Sequence, residues 1–431
     1  MHHVKTRFRH VVPVAGLLGL LVVSAFSALA RGQAPAATGV TVFEGARLIV
    51  GDGRAPIENA TFTVSGTRVL QVGRAGDVRV PAGAARVNLA GKTVMPAIID
   101  THTHLSQTQE ALTEDLRRRA FYGVGAAMSM GQDRGELPFQ MRAATPPGGA
   151  RFFTAGRGIT MPEPGRSDVP YWITTEAEAR KAVEELAALK VDLVKIWVDD
   201  RNGMYMKLTP ALYGAIVDEA HRRGLRVTAH IFTLEDAKGL LRAGVDAFAH
   251  GVRDKEIDDE GLALFRARPN VVVVPNLPDR GVATSLSWLS ESIPAPELQR
   301  LQEAATDRPA VQATFAIQAR NLAKLHAAGV RIAFGTDGNT PWAPHVEMAD
   351  MVAAGMTPMQ VIVAATRNSA DLLKLADAGT LEAGKSGDFI VLDANPLDDI
   401  TNTRRIASVY LRGAAVDRAR FKVGQTGQTT R

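Results

Sequence analysis

The sequence predicts an α/β chain: a (β/α)8 TIM-like barrel accompanied by a small β-sandwich domain built from both chain ends. Three observations predict it. Residues 96–375 alternate short apolar strands with amphipathic helices, and repeated strand–helix units imply a parallel sheet. That stretch is about 280 residues long, a length that suits an eight-unit barrel better than a doubly wound sheet. No Gly-x-Gly-x-x-Gly follows a strand, so the dinucleotide-binding alternative lacks its main support. Strand-rich segments of a different character flank this middle on both sides.

The chain opens with MHHVKTRFRH, which is basic, then VVPVAGLLGLLVVSAF, which is apolar, then a small-residue site at Ala28-Leu29-Ala30. This is the layout of a secretory signal peptide over residues 1–30, cut after Ala30, and it predicts a periplasmic or secreted protein. An uncleaved membrane anchor is the alternative. Pro13 and two glycines interrupt the run, and its length is near the lower limit for spanning a bilayer. No later segment is apolar for long enough to cross, so no membrane contact is expected after cleavage.

From Gly39 to about Val94 the pieces VTVFEGARLIV, ATFTVSGTRVLQVG and ARVNLAGKTV read as strands separated by glycine-containing turns. GDFIVLDANPL and ASVYLRGAAV near the other end have the same character. Residues 31–95 and 376–431 are therefore expected to form the composite β-sandwich, with 96–375 as the barrel.

Within the middle, LTPALYGAIVDEAHRRG reads as a helix with Thr209 as N-cap, Pro210 at the first helical position and Gly224 just past the end. TLEDAKGLLRAG reads as another, with Thr233 and Asp236 spaced as a capping box and Gly244 as terminator. LRVTAH, VDAFAHG, NVVVVPN and VRIAFGTDG are read as strands of the same series.

Composition narrows the function. With 46% apolar and 22% charged residues in 431, the chain is globular and long enough for a large core. Three of the five net positive charges are Lys5, Arg7 and Arg9, which leaves +2 on the rest. That surplus, without a basic run interleaved with aromatics, argues against nucleic acid as a partner. There is no cysteine, so disulfides, thiolate metal sites and cysteine nucleophiles are excluded. A small-molecule substrate is the expected partner, and a homo-oligomer is compatible with the sequence.

In barrel enzymes the chemistry sits where strands end. His102 and His104 end VMPAIIDTHTH; residues i and i+2 of a strand share a face, about 6.5 Å apart, so both imidazoles can reach one ion. Lys195 interrupts the apolar VDLVKIWVDD. A buried ammonium is costly without a partner; Asp192, Asp199, Asp200 or a snorkelling geometry would each account for it. His230 ends LRVTAH, His250 ends VDAFAH and Asp337 ends VRIAFGTD. Each also has an ordinary explanation as a satisfied core histidine or a helix cap. The set carries the argument: six groups at strand ends of one series, spaced 91, 35, 20 and 87 residues apart from His104 onward. His221 and His326 precede Gly224 and Gly329 near helix C-termini, where a dipole contact explains them. His345 stays open between facing the pocket and capping a helix.

The pieces PAIIDTHTH, DLVKIWV, VTAH, AFAHG, FGTDG, MVAAGMTPMQVIVAATRNSADLL and GTLEAGKSGDFIVLDANPL together resemble the amidohydrolase superfamily, in the branch of prolidase-like and imidazolonepropionase-related enzymes. The resemblance runs from Gly39 to about Arg412. It departs from the family at Ala97, usually glycine, and at GVGAAMSMG, where relatives carry a threonine-rich stretch ending in an acid. By resemblance, His102, His104 and Asp337 would hold a more buried metal ion and His230 and His250 a more exposed one. Lys195 would bridge them as a carbamate formed with carbon dioxide. Such a donor set suits two divalent ions, zinc best, with manganese, cobalt or iron as alternatives.

The resemblance implies hydrolysis by a metal-bridging hydroxide, with Asp337 as the catalytic proton carrier. Deaminases of the superfamily have glutamate three residues after the fifth-strand histidine; this chain has Thr233 there. Imidazolonepropionase-type sites are mononuclear and lack the lysine, so Lys195 points to the binuclear class. The expected substrate is an amide or peptide, prolidase-like or carboxypeptidase-like, as a dipeptide or N-acyl amino acid. Lactones, esters or xenobiotic amides are the alternative, and a non-catalytic binding protein on a barrel scaffold is the reading from another class.

Overall fold

The computed structural model describes residues 39–424. The expected signal segment 1–30 and its cleavage site lie outside the described residues. Five strands open the chain: β1 (Val40–Leu48), β2 (Ile57–Ser65), β3 (Arg68–Arg74), β4 (Ala85–Asn88) and β5 (Thr93–Pro96). The middle contributes β6 (Ile98–Thr103), β7 (Val124–Ser129), β8 (Arg151–Thr154), β9 (Ile159–Thr160), β10 (Tyr171–Trp172), β11 (Val194–Val198), β12 (Val227–Ile231), β13 (Ala247–Phe248), β14 (Val272–Val273) and β15 (Arg331–Ile332). The last three are β16 (Phe389–Leu392), β17 (Ile406–Leu411) and β18 (Ala414–Ala415).

Strands from both ends join one eight-stranded sheet in the order β18-β17-β16-β5-β1-β2-β3, with β4 added to β1. Two separate facing sheets are not formed, which corrects the sandwich expectation in its hydrogen bonding. The sheet instead curls. β2 and β16 are three strand steps apart, about 14 Å on a flat sheet, yet the rings of Phe62 and Phe389 lie 5.2 Å apart. Phe43 stacks on Phe62 at 4.8 Å and Tyr410 on Phe389 at 4.6 Å. Alternation of apolar side chains along these strands puts all four rings on the concave face, where mutual burial drives the curl.

The middle strands form two arcs in which every pairing is parallel: β6-β7-β8 and β10-β9-β11-β12-β13-β14-β15. Backbone bonds link the arcs on both sides. Asp192 N–H donates to the Thr154 carbonyl at 3.0 Å; across the other junction Thr101 N–H donates to Phe334 O at 2.9 Å and Asp337 N–H to His102 O at 2.8 Å. The strands read as near-continuous buried residues, as expected when both faces are covered.

Helix ends follow the sequence. Thr209 and Thr233 accept from Leu212 N–H and Asp236 N–H, and Gly244 ends its helix in the left-handed conformation at φ 97°. The expected Thr233–Asp236 box forms only in part: the aspartate accepts from the Thr233 hydroxyl at 2.7 Å, being too short to reach back to the N-cap amide. Full boxes stand at Thr175–Glu178 and Thr357–Gln360. Ala97, the departure from the family pattern, is accommodated by Gly125: a Cβ on Gly125 would lie 2.9 Å from that of Ala97. Among the described residues, no helix is long and apolar enough to cross a membrane.

Candidate metal centre

The strand ends bring the predicted ligands together. His102 Nε2 and His104 Nε2 each lie 3.1 Å from Asp337 Oδ1, and His250 Nε2 lies 3.4 Å from Asp337 Oδ2. Ring centroids are 5.3 Å apart for His102–His104, 5.1 Å for His102–His250 and 4.5 Å for His250–His230. Donor atoms of His102, His250 and Asp337 all fall within 4.8 Å of one another, so His250 stands close to the residues that the resemblance had grouped with His104. Backbone geometry aims the carboxylate: Asp337 has φ 53° and Asn276 φ 42°, a left-handed conformation uncommon outside glycine and best tolerated by Asp and Asn.

Several donor atoms of the cluster lack a hydrogen-bond partner. Among the described residues, His102 Nε2 is buried without a hydrogen bond of good geometry despite its 3.1 Å approach to Asp337, and Lys195 Nζ and His250 Nδ1 are also buried without partners. Unsatisfied buried polar groups are rare; several within one cluster of nitrogen and oxygen donors are what a cation site offers. Lys195 is wholly buried. The three aspartates weighed as its partners are engaged elsewhere: Asp192 with Arg142 at 3.2 Å, Asp199 with His230 at 2.9 Å, and Asp200 as acceptor from Gly203 N–H at 3.0 Å. Its ammonium instead lies 5.4 Å from the Trp197 ring, which fits because Gly158 has no side chain; a Cβ there would come within 2.0 Å of that ring.

Protonation suits a metal as well. Burial pushes Lys195 down to about 7, with the charges of Arg253 and Arg201 adding to the effect. Burial likewise lowers His102 and His230 to about 3 and His250 well below its ordinary value. Burial opposes ionisation of Asp337, yet the imidazoles of His102, His104 and His250 hold it below the usual carboxylate range. At neutral pH the site therefore offers neutral imidazoles, an amine near half-deprotonated and a carboxylate.

Supporting contacts fix the ring orientations. His230 Nε2 lies 2.9 Å from Asp199 Oδ2 and 3.1 Å from Arg201 Nη1; the tautomer with its proton on Nε2 donates to the aspartate and leaves Nδ1 as the ligand atom. Asp199 is itself held by Arg201 at 2.6 Å, and Arg201 by Glu163 at 3.2 Å. The Asn276 amide lies 2.5 Å from His102 Nδ1, and its oxygen has no partner as placed. A half turn of the amide puts that oxygen on Nδ1–H and frees Nε2 for an ion. Such carboxylate and amide partners set ligand tautomers in metal sites. This approach needs Gly335, whose hypothetical Cβ would meet Asn276 Oδ1 at 2.7 Å and His102 Cβ at 2.8 Å.

Sequence reasoning missed Asn276, Asp199, Arg201 and Glu163. Asn276 had a signal, since it closes the strand-like NVVVVPN in the same manner as the assigned ligands close theirs. The other histidines are placed elsewhere. His345 is buried between Thr403 Oγ1 and Tyr122 O, each at 3.0 Å. His221 adds a 2.9 Å contact with Asp246 to the helix-end position expected for it.

A sequence profile of the amidohydrolase family matches residues 93–416. Imidazolonepropionase of Deinococcus radiodurans is 26% identical over 393 residues, which cover 83% of this chain and 92% of that protein. A Bifidobacterium longum structure assigned as a prolidase superposes with TM-score 0.72 at 29% identity, covering 88% of this chain and 94% of the other. The structure of phenylurea hydrolase B superposes with TM-score 0.73 at 24% identity, covering 89% and 98%; at that identity the likeness concerns the fold.

Proposed function

The chain belongs to the amidohydrolase family, and from that premise we propose a secreted, binuclear metal-dependent hydrolase of amide bonds on a closed (β/α)8 barrel. Hydrolysis of C–N bonds is the class that the family and the named relatives support. The observation that carries the finer reading is the approach of His102, His104 and His250 to one carboxylate, at 3.1, 3.1 and 3.4 Å from Asp337, beside a buried Lys195 that forms no ion pair among the described residues.

His102, His104, His230, His250 and Asp337 would hold two divalent ions, zinc being the best match to nitrogen and oxygen donors. When bound, the ions would supply Lewis acidity and an acidified water at neutral pH. Lys195 is suited to carboxylation because a neutral amine is the nucleophile toward carbon dioxide. Its nitrogen would form the new N–C bond, one C=O electron pair would move to oxygen, and an N–H proton would leave to solvent. The product anion would turn an awkward buried cation into a ligand. Asp337 is the group suited to take a proton on Oδ1 from the attacking water and deliver it to the departing amine. Asn276 and Asp199 would hold the imidazole rings in the orientation the ions need.

Dipeptides and N-acyl amino acids are the first substrates to test, since the prolidase-assigned neighbour supports them. Esters, lactones and xenobiotic amides would use the same donor set. The layout of residues 1–30 supports secretion. The experiment is metal analysis of the purified protein with a screen of dipeptides, N-acyl amino acids, lactones and phosphotriesters in zinc and bicarbonate. About two ions per chain and amide turnover abolished in Asp337→Asn are expected. A protein that takes up no metal and hydrolyses nothing would be a binding protein, and the reading would fall.

A further inference from the structure

At the strand entries, away from the metal centre, lies a cavity of about 470 Å³. Arg226 immediately precedes β12 and Arg331 opens β15, at the ends opposite those that carry His230 and Asp337. Extended chain from Arg226 to His230 spans about 13 Å. The other cations lining the cavity are Arg367, Lys374 and Lys385. Four of the five are held by main-chain oxygens. Arg226 Nη1 donates to Asp371 O at 2.7 Å and Leu372 O at 2.9 Å, and Arg367 Nη1 to Asp52 O at 2.7 Å. Lys374 Nζ donates to Gly224 O at 3.1 Å and Lys385 Nζ to Ala376 O at 2.6 Å. The Arg331 side chain has no hydrogen bond, and none of the five forms an ion pair, among the described residues. Neighbouring cations do pair: Arg68 and Arg151 share Asp377 at 3.2 and 2.9 Å. Of the two acids lining the cavity, Glu382 is engaged with Thr380 Oγ1 at 2.6 Å and Arg54 at 3.8 Å, which leaves Asp371. Residues 1–38 and 425–431 contain no Asp or Glu. A bond to a carbonyl orients a cation but leaves its charge in place, so cations held around one concave space focus a positive potential into it.

We propose that this cavity binds a small anion with two or more linked phosphoryl groups. Charge sets the class: five cations against two acids leave a surplus of three, more than a single carboxylate or phosphate supplies. The guanidinium forks of Arg226, Arg331 and Arg367 match phosphoryl oxygens two at a time. The volume is that of a small-molecule site. No aromatic side chain lines it among the described residues, so it offers no platform on which a nucleobase stacks. Neither a metal ion nor a scissile bond enters the proposal, which therefore stands apart from the hydrolase reading.

The test is calorimetric titration of metal-loaded protein with orthophosphate, pyrophosphate, tripolyphosphate and ATP. Wild type should bind about one pyrophosphate per chain, at least about 10-fold more tightly than orthophosphate, with an affinity that falls as salt rises. ATP should bind no more tightly than tripolyphosphate. Arg331→Gln should weaken pyrophosphate binding about 10-fold and Arg331→Gln with Arg367→Gln about 100-fold. Arg266→Gln with Arg300→Gln removes the same charge from residues that do not line the cavity and should bind as wild type does. Pyrophosphate held by ions at the metal centre would bind the Arg331→Gln, Arg367→Gln protein undiminished, and that result overturns the proposal. Absence of pyrophosphate binding, orthophosphate binding as tight as that of pyrophosphate, or a preference for ATP over tripolyphosphate overturns it too. Binding to phosphatidylglycerol vesicles without binding to pyrophosphate would assign the patch to a membrane surface instead. Metal content and thermal midpoint equal to wild type show that the variants are folded. Should Arg367→Gln unfold for want of its bond to Asp52 O, Arg331→Gln alone decides, since its side chain supports no other residue.

Discussion

Arg119 and Asp100 meet at 3.0 Å with neither side chain exposed, and the pair ties together the two strands that carry His102 and Asp337. Asp100 Oδ1 accepts from His102 N–H at 3.2 Å and Thr336 N–H at 3.1 Å, while Arg119 Nη2 donates to Gly338 O at 2.8 Å. Removing one partner of a buried pair strands the other charge at a cost of about 3–5 kcal/mol. Arg119→Met should lower stability by about that amount in chemical denaturation and weaken metal binding. A loss below about 1 kcal/mol with unchanged metal affinity would show that the ligands are held by other means.

Among the described residues, the Asn276 side chain bonds to His102 and the Ala249 carbonyl and that of Asp199 to His230 and Arg201, so their removal should act on the metal more than on the fold. Asn276→Ala and Asp199→Ala are each expected to lose about 10–100-fold in metal affinity, measured by competition with a chelator. Wild-type affinity in both would remove these residues from any role in orienting the ligands.

Lys195 links stability to alkaline pH. Folding lowers it from 10.5 to about 7, so between those values the unfolded chain binds a proton that the folded one has released, and stability rises with pH. The penalty is fully present below pH 7 and vanishes toward 10.5. Metal-free wild type in bicarbonate-free buffer should therefore gain stability from pH 7 to 9, and Lys195→Met should show a flatter profile and greater stability at pH 6. Lys195→Ala should also abolish turnover in the metal-loaded enzyme. A Lys195→Met profile parallel to wild type would contradict the buried-cation account.

The histidines act at acid pH. His102, His230 and His345 fall from 6.5 to about 3 through burial. Between those values the unfolded state binds protons that the folded state refuses, so stability drops as pH falls. Each contributes about 1.4 kcal/mol per pH unit. Thermal midpoints of the metal-free protein should decline steadily from pH 6.5 to 4. Saturating zinc, which holds the ligand imidazoles deprotonated, should extend the stable range downward. Equal decline with and without zinc would mean that the ligand histidines are not the groups titrating.

Much of the site was legible because strand patterning announces where a barrel strand ends, and each of His102, His104, His230, His250 and Asp337 stands at such an end. Lys195 was legible as an anomaly, a charge inside an apolar run. Asn276 obeyed the same strand-end rule but is neither charged nor a common ligand, so chemistry gave no prompt. Arg201 lies in an exit loop, where charged residues are ordinary and only its partners Asp199 and Glu163 distinguish it.

The sequence by itself determined the helix ends, the strand series and the kinds of donor atom, because caps, periodicity and residue chemistry act over a few neighbours. The tertiary structure alone decided that Asp192 and Asp199 are engaged away from Lys195, that His345 faces Tyr122 and Thr403, and that His250 joins His104 around His102 and Asp337. It also decided that the end strands form one curled sheet. Those outcomes depend on contacts between residues as much as 327 positions apart, as between Phe62 and Phe389, and local propensity carries no information at that range.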